Sequence, residues 1–112
     1  MTEKSVLIST TENLPGHKIT KIFGEVFGIT TRSRNMFSTF GQSMKTIVGG
    51  EIVGYTKLQH MARDEAIARL KSAAAERGAN AVVMMRFDSN SFASANEVTA
   101  YGTAVFIEPI EK

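Results

Sequence analysis

The side chains that could do chemistry are few. The chain has two histidines, His17 and His60, and no cysteine. His60 and Asp64 stand four residues apart, which on a helix puts an imidazole and a carboxylate on one face. A stable zinc or copper site needs three or four ligands, and no second pair has metal-like spacing. His17 follows Pro15-Gly16 in a turn, where a surface residue is expected. A soft heavy metal prefers thiolates, which the sequence lacks. Met36, Met44, Met84 and Met85 fall where core or interface residues are expected. No metal ligand set is assigned within one chain; ligands shared between subunits stay open.

The basic residues come next. Lys18, Lys21, Arg32, Arg34 and Lys45 face only Glu25 over residues 13–50. Arg32 and Arg34 precede Phe37 and Phe40, a mixture used in single-stranded nucleic-acid binding. Those phenylalanines also fit the apolar face of a helix, and the structural reading is preferred. Gly49-Gly50 resembles an anion site at a helix start, but no GxGxxG and no Walker lysine accompany it. There is no GxSxG and no HExxH, so no nucleophile or base is named. Glu25 and Asp88 could meet in space, as could many pairs. Arg32, Arg34, Arg86 and Tyr101 are the candidate polar wall of a binding pocket between subunits.

Composition sets the frame for these residues. The chain has 112 residues, 43% hydrophobic and 21% charged, which suits one small folded domain over 1–112. Lys plus Arg is 13 against 11 Asp plus Glu, a net charge of +2. That balance predicts neither a nucleic-acid nor a membrane partner. No apolar run approaches the roughly 20 residues of a membrane span. Without cysteine there is no disulfide and no reason to invoke an oxidising compartment, so a cytoplasmic protein is expected.

The elements follow from periodicity. Residues 5–10 and 18–30 read as strands, with Gly24 and Gly28 marking bulges or close backbone approach. From Asn35, the spacing of Met36, Phe37, Phe40, Met44, Ile47 and Val48 predicts a short helix ending at Gly49-Gly50. A second helix runs from about Glu51 or Tyr55 to Arg77. Ile52, Tyr55, Ala62, Ala66, Leu70 and Ala73 share its face, with Ile67 and Ala74 flanking. Glu65 and Arg69 form an i,i+4 pair, and Gly78 suits the C′ position. Residues 80–87 and 97–108 read as strands forming a hairpin, with a polar loop at 88–96. The predicted class is α+β, in the order β-β-α-α-β-β, an antiparallel sheet covered by a long helix. Phe23, Phe27, Phe37 and Phe40 exceed the needs of one thin layer, so some are expected at an interface.

Several segments together carry a resemblance: TTENLPG at 10–16, RSRN at 32–35, IVGGE at 47–51 and GYTKL at 54–58, then ARDEAIARL at 62–70, RGANAVVMMRFD at 77–88 and AYGTAV at 100–105. In this order they resemble the YbjQ-like family, small proteins labelled heavy-metal-binding. The resemblance implies a dodecin-subunit-like fold and assembly into pentameric rings. No agreed ligand set comes with the metal label. The expectation is a homo-oligomeric structural or ligand-binding module, not an enzyme. The alternative is a small-molecule enzyme or binder with its pocket between subunits. Cofactors are left unassigned.

Overall fold

The computed structural model describes residues 5–33, 47–48, 51–91 and 95–110, of which 32–33, 47–48, 51–55, 91 and 95 are described by backbone alone. Its elements are β1 (Leu7–Ile8), β2 (His17–Ser33), β3 (Ile47–Val48), β4 (Glu51–Ile52), α1 (Val53–Glu76), β5 (Ala81–Ser91) and β6 (Ala95–Pro109). A four-stranded sheet has the order β1-β5-β6-β2, and β3 pairs with β4 apart from it. β1 runs parallel to β5, whereas β5–β6 and β6–β2 are antiparallel.

Helix α1 seats on the sheet through a stripe at i,i+4 spacing. Leu58, Ala62, Ala66, Leu70 and Ala74 are all buried. Alanine keeps this face shallow, and a glycine answers it from the sheet. A Cβ on Gly28 would lie 2.3 Å from the Ala66 carbonyl oxygen and 2.4 Å from the Leu70 nitrogen. Helix and strand therefore meet backbone to backbone, which only glycine permits. Val26, Val82, Met85, Ala100 and Ala104 complete the core beneath the helix.

Polar bonds fix the same contact. The buried Thr30 hydroxyl donates to Glu65, and Arg69 reaches the Ile29 carbonyl. Arg69 also pairs with Glu65 at 3.5 Å, as the i,i+4 spacing predicts. The Arg77 Nη1 donates to the Phe23 carbonyl at 3.0 Å. The helix closes in a Schellman arrangement: Ala79 N bonds Ala74 O at 3.1 Å, Gly78 N bonds Ala75 O at 3.0 Å, and Gly78 has φ +90°. Asn80 then acts as a strand mimic. Its Nδ2 donates to Ile107 O at 3.0 Å, while its Oδ1 accepts from Ile107 N at 2.8 Å.

Three parts of the expected architecture are corrected. The order β-β-α-α-β-β does not hold: the main sheet and helix run β-β-α-β-β, and α1 is the single helix among the described residues. Ile47 and Val48, expected to end a first helix, pair with Ile52 and Glu51 as a minimal hairpin. Two β-branched residues before a glycine pair satisfy a strand as readily as a helix end. The rest of the predicted helix, 34–46, lies outside the described residues. The sheet is also mixed, because β1 adds parallel to β5 beyond the hairpin. The loop expected at 88–96 is shorter, since β5 continues to Ser91 and β6 begins at Ala95.

Candidate binding surface on the open sheet face

Among the described residues, no helix lies over the sheet's second face. At one end the chain covers it itself: Ala81, Val83, Val105 and Ile107 form a small core closed by Leu14. The preceding segment is fastened there by Ser9 N to Val82 O at 2.9 Å, Met85 N to Ser9 O at 3.0 Å and Met84 N to Thr11 O at 3.1 Å. Beyond Leu14 the face carries Phe27, 54% exposed, Ile29, 37% exposed, and Tyr101, 36% exposed. Phe27 and Arg86 both register with Tyr101, so Arg86, Tyr101 and Phe27 form one row across β5, β6 and β2. Asp88, Thr99 and Ile29 form the neighbouring row on one side. Val83, Thr103 and Glu25 form the row on the other.

A β-bulge puts Arg86 in that row. Along β5–β6 the register passes from Val83↔Thr103 to Arg86↔Tyr101, so β5 carries one extra residue. Met84 takes φ +57°, a left-handed conformation that costs a side-chain-bearing residue roughly 1–2 kcal/mol. The extra residue reverses which positions face which side. Met85 turns into the core, and Arg86 and Asp88 come to the open face. Gly102 makes room opposite the bulge, where a Cβ would lie 2.7 Å from Val82 Cγ1 and 2.9 Å from Val83 O. Arg86 is only partly engaged within the chain. Its Nη1 donates to Thr10 O at 2.9 Å and Met85 O at 2.8 Å, and its Nε and Nη2 make no bond among the described residues.

Of the four residues expected to wall a site, the structure brings Arg86 and Tyr101 together. Arg32 pairs with Asn96 on the same strand as Phe27 but about 17 Å along it at the usual strand rise. Arg34 lies outside the described residues. Phe27 and Asp88 join Arg86 and Tyr101 on this surface. The placement of Arg86 and Asp88 depends on the bulge, for which the sequence offers only the Met84-Met85 pair and a glycine opposite. A separate groove of about 380 Å³ runs along α1 beside Glu65, Arg69, Ser72 and Glu76. Glu65 and Arg69 already serve Thr30 and Ile29.

Among the described residues, one helix packed on one face of a four-stranded mixed sheet defines a small α+β class. The profile of the YbjQ-like family, described as putative heavy-metal-binding, matches residues 6–108, and the chain belongs to that family. It is similar to the UPF0145 protein YjfJ of Lactococcus lactis subsp. lactis, 58% identical over 107 residues, covering 96% of this chain and 99% of that one. A UPF0145 protein of Oenococcus oeni is 57% identical over 105 residues, covering 94% and 100%. A crystal structure from Pediococcus pentosaceus, a DUF74-family protein of unknown function, shares the fold with a TM-score of 0.60. Identity there is 17%, covering 92% of this chain and 98% of that one.

The family's description names a metal, and the described residues do not fit one. No three His, Cys, Asp or Glu side chains group together among them. His17 Nδ1 is 3.1 Å from the Pro15 carbonyl, and His60 and Asp64 lie exposed on the outer side of α1. No step is assigned to a metal. No helix among the described residues is long and apolar enough to cross a membrane.

Proposed function

We propose that the protein works as a homo-oligomer, a pentamer by the family resemblance, and serves as a structural or ligand-binding module, not as an enzyme. The observation that carries this reading is the outer edge of β2. Among the described residues, this 17-residue strand is paired on one side only, by β6. In an antiparallel edge strand, alternate residues turn their N–H and C=O groups away from the partner. Arg77 and Arg69 occupy two of the strand's carbonyls, Phe23 and Ile29. A long edge carrying Ile19, Ile22, Phe27 and Ile29, each exposed, is a template for pairing with another chain. Further copies of the protein are the partner that suits it. The lack of cysteine suits a reducing compartment, and the proposal places the protein in the cytoplasm.

Arg86 beside Tyr101 supports a second reading, a small-molecule enzyme or binder with its pocket between subunits. Both readings require assembly. Light scattering across a dilution series tests them: a mass several times the 12.2 kDa chain is expected. A monomer that keeps its full secondary structure at every concentration overturns both.

A further inference from the structure

We propose that residues 9–14 form a hinged strap that closes on the β5 bulge, and that closure is what holds the bulge in shape and pins Arg86. The device lies within one chain and stands or falls independently of self-assembly.

The bulge turns two successive amides, those of Met84 and Met85, out of the ladder with β6, and the strap takes both. Three consecutive strap carbonyls accept bonds there. Ser9 O accepts from Met85 N at 3.0 Å, Thr10 O from Arg86 Nη1 at 2.9 Å and Thr11 O from Met84 N at 3.1 Å. Ser9 N returns a bond to Val82 O at 2.9 Å. Without the strap, two neighbouring amides would lose their partners while Met84 still bore its φ of +57°. Strap and bulge are therefore one cooperative unit.

The same segment is built to come away without unfolding the domain. It reads STTENL, and its one apolar side chain, Leu14, is only half-buried against Ala81, Val83, Val105 and Ile107. Thr10, Thr11, Glu12 and Asn13 are exposed. A region with few buried apolar contacts opens at far lower cost than the core. The strap also carries its own internal bonds. Ser9 Oγ and Thr11 Oγ1 are 2.5 Å apart, Thr11 N donates to Ser9 Oγ at 3.0 Å, and Thr11 Oγ1 donates to Asn13 O at 2.8 Å. None of these needs β5, so the segment moves as a piece. Its two ends are held separately: Val6 is buried in the main core, and Ile110 N bonds Gly16 O at 2.9 Å. Closed, the strap clasps Arg86 beside Tyr101. Open, it releases the guanidinium from Thr10 and leaves the Met84 and Met85 amides to water, while α1 keeps its seat.

Native-state amide hydrogen exchange of the full chain, at one protein concentration throughout, tests this. In the wild type, Ser9, Met84 and Met85 are expected to share a common protection factor, at least about a hundredfold below that of Leu70 in α1 and nearly independent of dilute urea. Leu14→Ala weakens the strap's apolar anchor and is expected to lower all three together, by roughly tenfold. Arg86→Ala removes the Thr10 bond and is expected to lower the same three by a similar factor. Ile67→Ala, in a half-buried position on α1, is expected to lower the protection of Leu70 and leave the three unchanged. Three amides as protected as Leu70, or falling with it in Ile67→Ala, would show that the segment opens only with the whole domain and would overturn the proposal. A Leu14→Ala variant that loosens Ser9 but not Met84 and Met85 overturns the coupling of strap to bulge. Unchanged protection in Arg86→Ala overturns the clasp. The wild-type comparison stands by itself where a variant fails to fold.

Discussion

Arg86 stands opposite Tyr101 because Met84 is one residue more than the β5–β6 ladder can pair. That single insertion decides the character of the face. It turns Met85 into the core and sends Arg86 and Asp88 outward. The strain is local, in one φ angle of +57°.

The Met84 conformation makes a prediction that does not depend on function. Asparagine accepts left-handed φ better than methionine, and a β-branched residue accepts it worse. Met84→Asn is therefore expected to leave stability unchanged or raise it slightly. Met84→Val is expected to lower it by about 1–2 kcal/mol. Urea unfolding of the two variants checks this. A valine variant as stable as wild type contradicts the role assigned to the bulge.

Gly28 fixes how closely α1 approaches the sheet. The atoms in the way of a Cβ are helix backbone, at 2.3 Å and 2.4 Å, and no side chain can move aside to relieve them. Gly28→Ala must push the helix away and open the core around Ala66 and Leu70. A loss of about 3 kcal/mol is expected, measured as a fall in the urea midpoint with little change in slope. At Gly24 a Cβ would meet only the end of Arg77, at an ordinary contact distance of 3.6 Å, and φ +104° is what selects glycine.

Asn80 holds the end of β6 with two bonds to Ile107. Asn80→Ala removes both and is expected to cost about 2 kcal/mol. Asn80→Asp keeps the acceptor for Ile107 N–H but sets a carboxylate oxygen against the Ile107 carbonyl, so it is not expected to rescue the loss. Thermal unfolding of the pair distinguishes a bonding role from a packing role. A full rescue by aspartate would argue that only the accepted bond matters.

Phe27 separates folding from assembly. More than half of its surface is exposed, so it contributes little to the monomer's core. Phe27→Glu is expected to leave the helical signal and the monomer's stability nearly unchanged while lowering the assembled mass. If mass and stability fall together, the fold and the assembly are one cooperative unit.

Much of this fold is legible in the sequence because its signals are local. The alanine stripe through Ala62, Ala66 and Leu70, the C′ glycine at Gly78 and the Glu65–Arg69 pair all depend on residues within a turn or two. Gly28 also reads correctly, since a glycine within a strand marks close backbone approach. The errors come where periodicity is short or crosses an insertion. Ile47-Val48 is too brief to tell strand from helix. Leu58 is missed on the helix face, although it lies one i,i+4 step before Ala62. The parallel seat of β1 beside β5 is a long-range pairing with no local mark. For the site, Arg86 and Tyr101 are readable as exposed polar candidates. Their direct opposition is not, because alternation along residues 81–88 would put Arg86 beneath the helix. Only the bulge reverses it.

In the proposed assembly, other copies of the chain cover the outer edge of β2. Amide hydrogen exchange along β2, read residue by residue at high and low protein concentration, tests it most directly. The amides between Glu25 and Thr31 that turn away from β6 are expected to be protected at high concentration and to exchange freely on dilution, while those bonded to β6 stay protected throughout. Outward amides that exchange freely in the assembled protein would show that this edge stays open and would contradict the account.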